Sequence, residues 1–182
     1  MDISVHAQPS AHPVKTEWID DALTGAYAAG EPLGALVGRP LAPGNGIMLV
    51  GWPDGGRGRY HVIETHAGRS AGPATYMQVV EFFGPRTEEW VAEEQRASTG
   101  RLGPATLGID GIVSVLRLRA ADNAYLVVIL AESMDAFDAA QQALMSTELL
   151  PGEDPALLTG PDRISFYRLV HADLPITEGS RA

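Results

Sequence analysis

The chain has 182 residues, a net charge of -10 and no cysteine. An acidic chain lacks the basic surface that nucleic-acid phosphates require, so we expect no nucleic-acid partner. The absence of cysteine excludes disulfides, thiolate metal sites and cysteine nucleophiles. No apolar run approaches the roughly 20 residues that a membrane-spanning helix needs, and the N-terminus lacks a signal-peptide pattern. We therefore expect a cytoplasmic globular protein with no membrane association.

The first 70 residues are predicted to form four strands and one helix. The helix starts near Thr16, where apolar residues begin to follow helical spacing, and ends at Gly30 and Pro32. Asn45 and Gly46 are a hairpin signal, because both residue types tolerate positive φ. The predicted strands cover residues 2–8, 34–41, 46–52 and 60–66. A second helix is not predicted here, since the seven residues from 53 to 59 are too few to form one of useful length.

The remainder of the chain follows the order strand, helix, strand, strand, helix, strand. The predicted strands cover residues 76–83, 112–119, 125–132 and 164–171, and the predicted helices cover residues 87–98 and 134–145. This order is the split β-α-β, or ferredoxin-like, unit. The predicted fold class is therefore α+β.

The strand at residues 125–132 is apolar on both of its faces. Tyr125, Val127 and Ile129 alternate with leucine and valine along it. A strand of this kind must be covered on both sides. Since the helices of a ferredoxin-like unit cover only one face of its sheet, we expect a second sheet on the other face.

The two parts of the chain share a sequence similarity. The segment around Trp18 resembles the segment around Trp90, and the paired strands that follow occupy corresponding places. We interpret residues 1–70 as a degenerate ferredoxin-like unit and residues 75–174 as a complete one, so that the chain is a tandem repeat. The alternative is an N-terminal hairpin extension that only happens to contain a similar tryptophan.

The pattern of apolar positions and turns resembles the antibiotic-biosynthesis-monooxygenase group of the dimeric α/β-barrel superfamily. The resemblance is carried by residues 76–83, 108–112, 125–137 and 157–161. It implies two ferredoxin-like units whose sheets close face to face into an α/β barrel, within one chain or between two. We also expect a homodimer, because the first unit lacks a helix and an apolar sheet face left bare usually marks a partner surface.

The resemblance leaves two functions open, because fold alone does not decide function. The first is a cofactor-independent monooxygenase that acts on a small aromatic or quinol-like molecule. The group also includes haem-degrading enzymes, but His171 is a weak candidate for an iron ligand, so we expect no cofactor. The alternative is a non-catalytic small-ligand-binding or interaction protein that retains the barrel without an active site.

Candidate site residues come from the resemblance and from polar residues inside apolar strands. The group often places a tryptophan at the end of the third strand; Trp52 holds that place in the first unit, whereas Ala131 or a neighbour holds it in the second. The predicted substrate-binding residues are Trp52, Tyr76, Gln78 and Tyr125, and the predicted catalytic residues are His171, Tyr167 and Arg117. Tyr167 and His171 are predicted to share one face of their strand, because side chains alternate along it. A pocket needs such polar groups to converge among apolar walls. The alternative for Trp52 is a core or rim indole, and for the polar residues it is edge-strand positions that face water.

A metal site is not expected. His61 and His66 are five residues apart on one predicted strand, so strict alternation places them on opposite faces of the sheet. Histidines on opposite faces cannot share one metal ion.

Overall fold

The computed structural model describes residues 1–8, 16–53 and 58–175, and in these ranges eight strands close into one barrel. The strands are β1 (Asp2–Ala7), β2 (Gly34–Pro40), β3 (Ile47–Trp52), β4 (Tyr60–Ala67), β5 (Tyr76–Phe82), β6 (Ile112–Ala120), β7 (Tyr125–Ala131) and β8 (Arg163–Ala172). The segment at residues 53–59, which is too short for a second helix, lies partly outside the described residues. The predicted α+β barrel is confirmed, and it closes within a single chain.

Four α-helices and one π-helix are found in the described residues. They are α1 (Thr16–Ala29), α2 (Glu88–Ala97), the π-helix (Ser98–Leu102), α3 (Gly103–Leu107) and α4 (Met134–Met145). None of the helices in the described ranges is long and apolar enough to cross a membrane. The π-helix and α3 were not predicted, because Gly100, Gly103 and Pro104 are typical of loops.

The strand order around the barrel is β1-β3-β2-β8-β5-β7-β6-β4, and all the pairings are antiparallel. Strands β5 to β8 therefore form one ferredoxin-like sheet in the order β8-β5-β7-β6. Strands β1 to β4 follow the corresponding order β4-β1-β3-β2, with two residue pairs joining β1 to β4. The pairings β2–β8 and β4–β6 join the two sheets. That the two sheets descend from a duplicated unit remains a prediction.

Apolar side chains fill most of the barrel interior. Residues of the interior cluster include Ile3, Leu36, Leu49, Met77, Val79, Leu116, Leu118, Leu126, Val128, Leu130 and Tyr167. Gly38 makes room for Tyr167 there, because a Cβ at Gly38 would lie 2.6 Å from the Tyr167 Cβ. An eight-stranded barrel is just wide enough to be filled by side chains or to hold one small ligand.

The helices cover parts of the outer surface of the barrel. Helix α1 packs on β2 and β3 through a cluster that contains Trp18, Val50 and Trp52. Helices α3 and α4 pack on the second sheet through a separate cluster that contains Ile129 and Phe137. Both faces of β7 are therefore covered, as its sequence predicted: one by the barrel interior and the other by helices.

A β-bulge places the predicted catalytic residues Tyr167 and His171 on different faces of the barrel wall. The register between β2 and β8 shifts so that Val37 pairs with His171 while Gly38 pairs with Leu169. Val37 belongs to the cluster beneath α1, whereas Tyr167 belongs to the interior cluster. The expectation that Tyr167 and His171 share one face is therefore wrong, because a bulge inserts an extra residue and reverses the alternation.

A second bulge, in β4, places His61 and His66 on the same face of the barrel wall. The register between β4 and β6 shifts between Val62 and Glu64. His61 then pairs with Arg119, and His66 pairs with Val115, which packs on the outer face of the sheet. Both histidines lie on the outer face, so the expectation that they point in opposite directions is also wrong.

Candidate functional site: a cavity at one end of the barrel

A cavity of about 240 Å³ opens at one end of the barrel. It lies where β4, β7 and β8 end and where β6 begins. Its lining consists of Leu36, Thr65, Ala67, Ala74, Val113, Ser114, Leu130, Ala172 and Leu174. The cavity is therefore a part of the barrel interior that the core side chains leave open.

The cavity has a buried floor and an exposed rim. Leu36, Leu130 and Leu174 are buried and form the floor, whereas Ala67 and Ala172 are exposed. Leu174 can occupy this place because Gly51 has no side chain, and a Cβ at Gly51 would collide with the Leu174 Cδ1. The small side chains at the rim leave the cavity open to solvent.

The chemistry of the lining is simple. Seven of the nine lining residues are aliphatic, and the other two, Thr65 and Ser114, carry hydroxyl groups. None of these nine residues is charged or titratable near neutral pH. A cavity of this kind favours an uncharged apolar molecule, because an unpaired charge would lose its hydration there.

Two predicted site residues, Arg117 and Tyr125, lie on the outer surface of the barrel beneath α2. The Arg117 Nε donates a hydrogen bond to the Tyr125 hydroxyl oxygen, and its Nη1 donates to Glu64. Its Nη2 lies 2.9 Å from the Glu94 Oε2 and 3.1 Å from the Gln95 Oε1. With four bonds to protein side chains, the guanidinium has little capacity left for a substrate.

The surroundings of this cluster shift two pKa values. Burial and the negative charge of Glu94 raise the pKa of Tyr125 far above its usual value, so the phenol stays protonated. Burial alone would raise the pKa of Glu64, but hydrogen bonds from Gln95 and His66 and the charge of Arg117 outweigh burial and lower it. The Glu64 carboxylate is therefore charged and pairs with Arg117, while the Tyr125 phenol stays neutral. This arrangement is typical of a cluster that stabilises the fold.

The predicted substrate-binding residues Trp52, Tyr76 and Gln78 also lie on the outer surface. Trp52 is buried beneath α1, where its Nε1 donates a 2.9 Å hydrogen bond to the Ser4 Oγ. Tyr76 packs against the cluster beneath α4. Gln78 pairs with Ile129 on β7 and so faces the same side. None of the three lines the cavity.

Tyr167 and His171 are separated from this group and from each other. Tyr167 is inside the barrel, where burial raises the pKa of its phenol, and it does not line the cavity. The His171 Nε2 lies 3.0 Å from an Asp173 carboxylate oxygen on the outer surface. The seven predicted site residues therefore do not converge on one cavity.

The prediction from sequence missed the residues that line the cavity, including Ser114. The sequence did hold an indication of Ser114, because it is a polar residue within the apolar strand at residues 112–119 and shares a face with Leu116 and Leu118.

In the described ranges, no group of three or more histidine, aspartate or glutamate side chains is placed to bind a metal ion.

Comparison with known proteins shows a shared fold but no sequence relative. No family model and no curated protein matches the chain. The structure of a major regulator of staphylococcal pathogenesis is 12% identical with a TM-score of 0.60, covering 92% of this chain and 98% of the other. An anthrone oxidase-like protein is 13% identical with a TM-score of 0.57, covering 93% and 91%.

A third similar structure is related to the group that the sequence was predicted to resemble. It is an uncharacterised ferredoxin-fold protein related to antibiotic biosynthesis monooxygenases, from Listeria monocytogenes. It is 11% identical with a TM-score of 0.52, and the match covers 92% of each chain. The fold is thus that of the ferredoxin-fold proteins related to these monooxygenases, which confirms the predicted resemblance in fold.

Proposed function

We propose that the protein binds a small, uncharged, largely apolar molecule in the cavity at the end of the barrel. The observation that carries this proposal is the cavity itself, an apolar space of about 240 Å³ beside the packed interior cluster of the barrel. Burial of apolar surface would supply most of the binding free energy. One or two fused aromatic rings would suit a space somewhat smaller than a typical drug-binding pocket.

The non-catalytic form of this function is favoured over catalysis. The nine lining residues supply no histidine, carboxylate or other base that could accept a proton at neutral pH. Arg117 and Tyr125, which were predicted to handle a substrate, are bound to each other and to neighbouring side chains outside the cavity. Proteins of similar fold include both a regulator and an anthrone oxidase-like protein, so the fold alone does not decide between ligand binding and catalysis.

Cofactor-independent oxygenation is the second candidate. The apolar cavity supports this candidate, because it would exclude water from a quinol-like molecule while that molecule donates an electron to oxygen. The substrate would need to ionise before it enters, or to pass its proton to solvent at the rim, because the lining offers no base. Oxygen uptake that depends on the bound molecule, without added metal, flavin or haem, would support this candidate over binding alone.

A cavity-filling substitution tests the proposal. We expect naphthalene to bind to the wild-type protein in a calorimetric titration and Ala74→Phe to abolish binding, because the added ring occupies the cavity. Ala121→Phe is the matched control, since Ala121 is exposed in the turn between β6 and β7, at the other end of the barrel. Circular dichroism would show that both variants are folded. Binding that survives Ala74→Phe would contradict the proposal.

We also propose that the protein forms a homodimer, but on a different surface from the one first expected. Strands β1 and β4 carry polar outer side chains, such as Ser4, His6 and His66, so they do not present a bare apolar face. Exposed apolar side chains are found instead along β8 and next to it, at Ile164 and Val170 on β8 and at Leu41, whose backbone N–H donates to the Phe166 carbonyl oxygen. Exposed apolar side chains along one strand support a contact between two copies.

A further inference from the structure

The hydroxyl group of Ser114 is a buried polar atom in an apolar place. Ser114 is 5% exposed, and it pairs with Leu130 on β7 and with Ala67 on β4, both of which line the cavity. Its Oγ is shielded from water and has no hydrogen-bond partner among the described residues. The barrel therefore holds one unsatisfied donor and acceptor beside its cavity.

In the orientation that the structure shows, the unsatisfied Ser114 hydroxyl lowers the stability of the barrel. A buried polar group without a partner costs free energy on folding, because it gives up its bonds to water without replacing them. An alanine would occupy this position without that cost. Rotation about the Ser114 χ1 angle moves the Oγ between staggered positions, which allows it to meet a group that enters the cavity.

We propose that Ser114 is the polar anchor of the cavity and selects an uncharged aromatic molecule that carries one hydroxyl group. This inference rests on the proposed binding function and adds the class of ligand and the residue that determines specificity. A phenolic hydroxyl both donates and accepts, so it can satisfy the Ser114 Oγ in either role. A carboxylate would be rejected, since none of the lining residues carries a positive charge.

Three related probes separate this inference from the binding function itself. Naphthalene, 1-naphthol and 1-naphthoate present the same ring system with no polar group, a neutral hydroxyl and a charge. At neutral pH we expect the wild-type protein to bind 1-naphthol more tightly than naphthalene and to reject 1-naphthoate. In Ser114→Ala, the affinity for 1-naphthol should fall roughly threefold to tenfold, and the affinity for naphthalene should stay the same.

Thr65→Val is the matched control, because Thr65 supplies the other hydroxyl group of the cavity lining. It should retain the preference for 1-naphthol. Loss of the preference in Thr65→Val but not in Ser114→Ala would overturn the assignment of Ser114. Equal binding of naphthalene and 1-naphthol by the wild-type protein would overturn this inference while leaving the binding function intact. Failure of both probes to bind would overturn the two together.

The stability of the empty protein provides a readout that does not depend on any ligand. Ser114→Ala should melt at the same temperature as the wild type or higher, because it removes an unpaired buried hydroxyl. A lower melting temperature would mean that the hydroxyl has a partner inside the protein, and this would overturn the proposal. Shifts of the Leu130 and Leu174 methyl signals on addition of 1-naphthol would place the ligand in this cavity; unchanged signals would place it elsewhere and overturn the proposal.

Discussion

The Arg117 Nη2 on β6 lies 2.9 Å from the Glu94 Oε2 on α2, and both side chains are buried. The same guanidinium also binds Glu64 on β4. Because β4 belongs to the first sheet and α2 to the second part of the chain, Arg117 links the two parts of the chain on the outer surface of the barrel. The pairing of β4 with β6 closes the barrel beneath this link.

Replacement of Glu94 should weaken the fold substantially. Glu94→Gln keeps the shape of the side chain but removes the charge that faces buried Arg117, and Glu64 remains as a partner. We expect the free energy of unfolding to fall by about 1.5–3 kcal/mol, because the buried guanidinium loses one of its two charged partners. Urea denaturation measures the change. Glu89→Gln, at an exposed position on the same helix, should change stability by no more than about 0.5 kcal/mol. Equal effects of the two variants would refute the structural role.

The stability of the protein should fall in acid partly through Glu64. Its pKa is lower in the folded protein than the ordinary value of 4.5, so its stabilising contribution is fully present above that value. The contribution is lost as the pH falls through the lower pKa of the folded state, because protonation removes the charge that attracts Arg117. Glu64→Gln should therefore show a shallower loss of unfolding free energy below pH 4.5. Parallel pH profiles for the two proteins would contradict this assignment.

Trp52 should contribute to stability rather than to ligand binding. Its indole is buried beneath α1 and donates a hydrogen bond to Ser4. Trp52→Phe should lower the free energy of unfolding by about 1–2 kcal/mol, through the lost hydrogen bond and the smaller ring. The affinity for naphthalene should be unchanged, because Trp52 does not line the cavity. A clear loss of affinity in calorimetry would restore the role of Trp52 as a pocket wall, which its place in the sequence suggested.

The proposed homodimer can be tested by light scattering at micromolar concentration. We expect a mass that corresponds to two chains. Ile164→Glu should shift the protein toward a monomer, since it places a charge at an exposed apolar position on β8. Met145→Glu is the control, because Met145 is also exposed but lies at the end of α4. A monomeric wild-type protein would rule out the dimer.

The sequence by itself determined the eight strands and the three longer helices. The strands predicted at residues 125–132 and 76–83 are found at 125–131 and 76–82, and α1 was predicted because its apolar residues follow helical spacing. These are local properties of the chain. The two-sided apolar character of β7 also required a cover on each face, and a second sheet is the simplest cover for the face that the helices leave open.

The tertiary structure alone decided which side chains meet. Bulges in β4 and β8 reversed the alternation of side chains, so His66 and His171 lie on faces that strict alternation did not predict. The partners of Arg117 come from β4, α2 and β7, and no local pattern joins residues so far apart in the chain. Ser114 became a candidate anchor only because the core side chains stop short of one end of the barrel. How far such a core extends depends on the packing of all eight strands together.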